Sequence, residues 1–192
     1  EEEGEFHLRK NKKISLLFLF SILLMTLFGC GQSSLAKVDI LTRIEETPKI
    51  FWGVKNDTRL FGLTNIETRK VEGFDIDIAL AITEEILGPE GEAVFVEVTS
   101  KTRIPLIKNG NIDAIIATMT ISEERLKQVD FSDVYLDAGQ SLFVKKGSPI
   151  KGVEDLDETT TVLAVKGSTS AINIRKFAPE AKILELENYA EA

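Results

Sequence analysis

The chain has 192 residues, with 31 acidic and 23 basic side chains, one Cys, one His and a net charge of −8. A hydrophobic fraction of 43% beside 28% charged residues excludes a disordered polyelectrolyte, a single Cys excludes an internal disulfide, and a single His argues against a His-rich zinc site. The acidic balance argues against nucleic acid as a partner, because a duplex-binding surface needs clustered Lys and Arg.

Acidic residues Glu1, Glu2, Glu3 and Glu5 precede a basic cluster, Arg9, Lys10, Lys12 and Lys13. An apolar run then extends from Ile14 to Phe28, broken only by Ser15, Ser21 and Thr26. As a helix this run reaches roughly 22 Å, short of the ~30 Å hydrocarbon core of a bilayer. A basic flank before a short apolar stretch reads as a bacterial export signal. The run ends Leu27-Phe28-Gly29-Cys30, which resembles a lipobox, although Phe28 is bulkier than the usual residue there. On that reading residues 1–29 are removed, Cys30 carries a lipid at the outer membrane face, and residues 30–46 form the tether. The alternative is an uncleaved short anchor with an incidental Cys. Removal of residues 1–29 takes away four acidic and four basic side chains, so the rest keeps the −8 charge.

Lys49–Lys55 reads as a strand and Asn56–Thr58 as a turn, with an irregular or hairpin connection over 60–73. A helix starts near Asp75. Its apolar stripe is expected on Phe74, Ile78, Ile82 and Ile86, widened by Ala79 and Leu87, and Gly88-Pro89 ends it. Ala93–Val98 is a strand, Thr99–Asn109 holds a short helix ended by Gly110, and Asp113–Ala117 reads as a strand buried on both faces. Ser122 caps a helix through Arg125 and Leu126. Tyr135–Val144 is expected to be extended, Lys145–Pro149 a turn, and Thr160–Val165 a strand. Gly167–Ser170 opens a helix through Ile172, Ile174 and Phe177, and Lys182–Leu186 closes the series as a strand. Strands alternating with helices predict an α/β sheet with mainly parallel strands.

In such sheets ligands bind beyond the carboxyl ends of the strands. Lys55, Thr99–Arg103, Thr118–Thr120 and Lys166–Ser170 fall at four such ends, and all supply donors or positive charge. Arg103 and Arg125 each sit in the first turn of a predicted helix, where a cation opposes the helix dipole. Either each Arg joins the helix N–H groups in clamping an anion, or it turns sideways to a surface carboxylate such as Glu123 or Glu124; spacing leaves both readings open. Asp75 and Asp77 read as helix-capping and dipole-matching residues rather than metal ligands. Trp52 and Phe51 alternate on a strand, so one should face the core and the other a cleft. Beyond residue 30 the chain has no His, so no Ser-His-Asp or Cys-His set is available there, and no phosphate loop appears.

Several spaced motifs together carry a resemblance: Val71-Glu72-Gly73-Phe74-Asp75-Ile76-Asp77-Ile78, Lys101-Thr102-Arg103-Ile104-Pro105-Leu106, Asn109-Gly110-Asn111-Ile112-Asp113-Ala114, Ala117–Arg125, Val129–Tyr135 and Lys166–Ser170. The chain resembles the family 3 extracellular solute-binding proteins, the polar amino-acid receptors of ABC importers, over about residues 49–189. The resemblance implies a periplasmic-binding-protein type II-like clamshell of two α/β lobes that closes on its ligand. Residues 47–140 would form lobe 1, and residues 141–192 the hinge and the start of an incomplete lobe 2. It also implies that Arg125 clamps the ligand α-carboxylate with Thr120 and backbone groups near Thr118. Lys166, Ser168 and Thr169 would contact the ligand from the second lobe. Lys55 and Arg103 match positions that bind the side-chain carboxylate in members specific for acidic amino acids.

The segments around Lys55 and Arg103 look most like glutamate/aspartate receptors, with glutamine receptors close behind. Two departures stand out. An aromatic platform shortly after the first strand is not clear, and Phe61 better matches a packing position. Family members also continue past the point matching Ala192, with an Asp that pairs with the ligand ammonium. The expectation is a membrane-anchored, extracellular amino-acid receptor that docks on an ABC permease, performs no chemistry and uses no cofactor or metal. An enzyme or a sensor-kinase input domain on the same fold is the alternative.

Overall fold

The computed structural model describes residues 39–192. The signal, Cys30 and the first part of the tether lie outside the described residues. The elements run α1 (Ile40–Glu46), β1 (Lys49–Val54), β2 (Asp57–Thr58), β3 (Gly62–Thr64), β4 (Val71–Glu72), α2 (Phe74–Leu87), β5 (Glu92–Glu97), α3 (Arg103–Lys108), β6 (Ala114–Ile116) and α4 (Glu123–Leu126). A 3₁₀ turn (Val153–Asp155), β7 (Thr161–Val165), α5 (Thr169–Phe177) and β8 (Lys182–Leu186) follow.

β1 is the middle strand of a parallel sheet ordered β5-β1-β6, with Trp52 opposite Phe95 on one side and Ala114 on the other. β2, β3 and β4 form a small antiparallel sheet: β3 and β4 are the hairpin connection expected over 60–73, whereas Asp57–Thr58, expected within a turn, pairs with β3 as the strand β2. β7 and β8 pair in parallel with α5 between them. The mixed α/β architecture with mainly parallel strands agrees with the sequence reading.

The core of the first sheet is Ile50, Trp52 and Val54 from β1, Ile116 from β6, and Ile76 and Ala79 from α2. Full burial of one such aliphatic side chain contributes about 1.5–3 kcal/mol. A second cluster of Val98, Ile112 and Ala117 lies under α3, and a third of Leu156, Ile174, Ala178 and Ala181 under α5.

Several expectations need correction. The buried face of α2 is Ile76, Ala79 and Thr83 with Asp75, whereas Phe74, Ile82 and Ile86 are exposed. The small Ala79 lets the helix sit close to the sheet, and Thr83 receives the indole N–H of Trp52 at 2.9 Å, which rotates the stripe away from Ile82. In β6 only Ile116 is fully buried, because β1 takes the central place among the described strands. Tyr135–Val144 forms no strand, having no ladder partner among the described residues. The helix α5 runs through Ile172, Ile174 and Phe177 as expected, burying Ala171 and Ile174 and leaving Ile172 and Phe177 exposed.

Residues 40–46, within the expected tether, form the helix α1. Arg43 pairs with the carboxylate of Asp113, donates to the Lys49 carbonyl at 3.1 Å and stacks over Phe51. Trp52 faces the core as expected. Phe51 faces not a cleft but this Arg43 cover.

Candidate ligand-binding site

β1 carries Lys55 one residue beyond its carboxyl end. The side chain is 1% exposed, its ammonium is 4.0 Å from an Asp57 carboxylate oxygen, and it sits 4.8 Å from the centroid of the Tyr189 ring. Among the described residues the Lys55 ammonium has no hydrogen-bond partner. Burial lowers its pKa below that of a free lysine, with Asp57 opposing that shift and Arg103 adding to it.

Arg103 is the first residue of α3 and is also buried. Its Nη1 donates to the Ala117 carbonyl at 2.8 Å, and its buried Nε has no partner among the described residues. Burial, followed by repulsion from Arg125, pushes its pKa down to about 10. Arg125 lies in α4, which Ser122 caps as the sequence predicts, accepting from the Arg125 amide at 3.3 Å. Its Nη1 donates to the Thr120 carbonyl at 2.6 Å and its Nη2 to the Gly167 carbonyl at 3.1 Å. Burial lowers its pKa too. The surface ion pairs with Glu123 or Glu124 do not form, because both guanidinium groups turn inward to backbone carbonyls.

The segment Ala117–Thr120 joins these cations. Thr118 adopts φ +49°, a conformation rare for a β-branched residue. Its amide donates to Asp75 at 3.1 Å. Asp75 is fully buried, and its other oxygen accepts from the Tyr135 hydroxyl at 3.1 Å. Asp75 is therefore not the capping residue expected; Gly73 occupies the cap position of α2. Burial raises the Asp75 pKa, partly opposed by these two hydrogen bonds, and burial raises that of Tyr135.

From the β7–α5 loop, buried Ser168 caps α5 by accepting from the Ser170 amide at 3.3 Å. Thr169 accepts from the Gln140 amide at 2.8 Å. Lys166 pairs with Glu187 at the surface, which raises the lysine pKa and lowers the glutamate's. A pocket of about 880 Å³ is lined by Ser100, Lys101, Arg125, Ser168 and Thr169 among others. Lys55, Arg103, Thr118 and Thr120 do not line it.

The structure thus brings together Lys55, Arg103, Arg125 and the Thr118–Thr120 backbone, and sets Ser168 and Thr169 against Arg125 through Gly167. It leaves Lys166 on a surface ion pair. Asp57 and Tyr189 were not singled out in the sequence. Tyr189 lies 132 residues after Asp57, to which its amide donates at 2.8 Å, and no local pattern marks such a meeting. Asp57, two residues after a buried lysine, was a findable signal.

The comparisons bear on this arrangement. The model of the bacterial extracellular solute-binding proteins, family 3, matches residues 50–184. The chain belongs to this family. It is 58% identical over 190 residues to the ABC transporter glutamine-binding protein GlnH of Bacillus subtilis (strain 168), covering 96% of this chain and 70% of that protein. It is 62% identical over 157 residues to the glutamine-binding protein of Geobacillus stearothermophilus, covering 82% of this chain and 60% of that protein. Among solved structures it resembles the ancestral amino acid-binding protein AncCDT-1, a precursor of cyclohexadienyl dehydratase. That match has a TM-score of 0.74 and 37% identity, and covers 79% of this chain and 66% of that one. The likeness agrees with the expected type II clamshell class of fold.

Proposed function

We propose that the chain is the ligand-capturing part of an extracellular receptor that delivers glutamine to an ABC permease. The observation that carries this reading is the cluster of buried cations Lys55, Arg103 and Arg125, two of which keep unspent donors on Lys55 Nζ and Arg103 Nε. Arg125 takes the ligand α-carboxylate with Thr120 and the backbone near Thr118. Ser168 and Thr169 belong to the opposing face of the cleft, with Lys166 at its rim on the Glu187 ion pair.

The resemblance alone placed acidic ligands first. Two points favour glutamine. The relatives at 58% and 62% identity are named for glutamine. The charge of Lys55 is also partly answered by Asp57 and by the Tyr189 ring, so its remaining donors suit a neutral amide oxygen better than a second carboxylate. The reading assigns binding and no bond-making. It also takes residues 1–29 as a removed signal, Cys30 as the lipid anchor, residues 47–140 as lobe 1, and residues 141–192 as the hinge and the start of lobe 2.

Calorimetric titration of the full-length protein without residues 1–29 tests it. Glutamine should bind more tightly than glutamate, aspartate or arginine, and Arg125→Ala should abolish binding of all of them. Preference for arginine, or full binding by Arg125→Ala, would overturn the reading. Turnover of a bound ligand into a new product would favour the enzyme alternative.

A further inference from the structure

Asp75 is a buried carboxylate that the proposed binding chemistry does not use. It stands in the first turn of α2, and the start of that helix is pinned by the chain before it. Gly73 has φ +139°, and a Cβ there would lie 2.4 Å from the Phe61 carbonyl oxygen, so a side chain is barred by backbone. The Phe74 amide donates to the Leu60 carbonyl at 2.8 Å and the Asp75 amide to the Phe61 carbonyl at 3.0 Å. The Phe74 ring packs edge-on to Phe61 and tilted against Tyr135. The carboxylate is thus fixed from behind, with its two oxygens pointing at two different segments.

One oxygen holds the Thr118 amide at 3.1 Å, and the other receives the Tyr135 hydroxyl at 3.1 Å. Thr118 is the residue held at φ +49°, between the carbonyl of Ala117, which takes Arg103, and the carbonyl of Thr120, which takes Arg125. A threonine leaves the left-handed region unless its surroundings hold it there. Asp75 supplies the one hydrogen bond to the Thr118 amide among the described residues, and Tyr135 stiffens Asp75 from the connection that leads from α4 toward β7.

We propose that Asp75 is a positioning residue for ligand binding, holding Thr118 in its left-handed conformation so that the Ala117–Thr120 backbone keeps Arg103 and Arg125 aimed at the ligand. The proposal rests on the receptor reading above and adds a residue that touches no ligand. Its action runs through one backbone angle, and glycine is the residue that adopts that angle without help.

The test is a double-mutant cycle on the full-length protein, read by glutamine titration with melting temperature measured alongside. Asp75→Ala should weaken binding about tenfold or more in the native background, but about threefold or less in a Thr118→Gly background, where the angle needs no support. Asp75→Asn keeps an acceptor for the Thr118 amide and should bind within about threefold of the native protein. If Asp75→Ala fails to fold, Asp75→Ser replaces it in the cycle, since its hydroxyl stops short of the Thr118 amide. Equal losses in both backgrounds, no loss in the native background, or an Asp75→Asn loss as large as that of Asp75→Ala would overturn the proposal. A native protein that binds no amino acid would overturn the receptor reading and this proposal together. A native protein whose affinity survives Asp75→Ala would overturn the proposal alone.

Discussion

Arg125 and Gly167 are joined by a 3.1 Å hydrogen bond from guanidinium Nη2 to carbonyl oxygen, across 42 residues of chain. The bond ties α4, beside the first sheet, to the loop that opens α5 beside the β7–β8 sheet. Gly167 makes it possible. Its φ is +74°, and a Cβ there would lie 2.8 Å from the Lys101 Cα and 2.9 Å from the Lys101 nitrogen. The loop therefore rests directly on the Ser100–Lys101 backbone.

Gly167→Ala should accordingly cost about 1–3 kcal/mol of stability, since both the left-handed angle and the backbone contact resist a side chain. Backbone cannot swing aside as a flexible side-chain end does, so the loop must shift, and the Arg125 bond to it should weaken. Denaturant unfolding measures the first effect and glutamine titration the second. Unchanged stability with unchanged affinity would show that the loop does not rest where the contact puts it.

Much of this was legible in the sequence where local chemistry dictates structure. Gly88-Pro89 ends α2, Ser122 caps α4 and Ser168 opens α5 because caps and breakers act over a few residues. The inward turn of Arg103 and Arg125 was not legible. A first-turn Arg has the same sequence signature whether it clamps a carbonyl or a surface glutamate, and burial by distant segments decided it. The stripe of α2 misled for a related reason. Ile82 fits the helical period, but Thr83 wins the buried place because Trp52 offers it an indole N–H, a tertiary contact that periodicity does not report. Asp75 carried an ordinary capping signature, and only Thr118 and Tyr135, far along the chain, reveal its role.

That Trp52–Thr83 contact yields a stability prediction. The Thr83 hydroxyl accepts from Trp52 at 2.9 Å and donates to the Ala79 carbonyl at 2.8 Å, all within the core. Thr83→Val preserves the shape but leaves the indole N–H buried without an acceptor, at a cost of about 1–3 kcal/mol. Trp52 is the single tryptophan of the chain, so its fluorescence follows the unfolding directly. Thr83→Ser keeps the hydroxyl and should recover most of the loss. Equal destabilisation by both variants would assign the cost to the lost methyl group instead.

The proposed anchor makes a prediction about location. Acyl chains on Cys30 hold a protein at a membrane by burying methylenes, each contributing about 0.8 kcal/mol. Radiolabelled palmitate fed to an expressing bacterial culture should label the full-length protein, and Cys30→Ser should remove the label and release the protein to the medium. The same substitution should leave glutamine affinity unchanged, because Cys30 lies upstream of every proposed ligand contact. Membrane retention of the unlabelled Cys30→Ser protein would favour the uncleaved-anchor alternative.

Lys55 allows the stability cost of a proposed binding residue to be read from pH. Burial lowers its pKa below the ordinary 10.5, so the folded state disfavours the charged form. Between the folded and unfolded pKa values the folded state binds fewer protons, and stability rises with pH across that window. Below it, the charged ammonium destabilises the fold by a constant amount. Lys55→Met removes the charge and should raise the melting temperature at pH 7, with the gain shrinking at pH 10. Asp57 is not stranded by this change, since one of its oxygens keeps the Tyr189 amide at 2.8 Å and the other the Thr58 hydroxyl at 3.1 Å. Glutamine affinity should fall in the same variant, so stability and binding move in opposite directions. A lower melting temperature for Lys55→Met at pH 7 would mean that the Asp57 and Tyr189 contacts outweigh the desolvation of the ammonium.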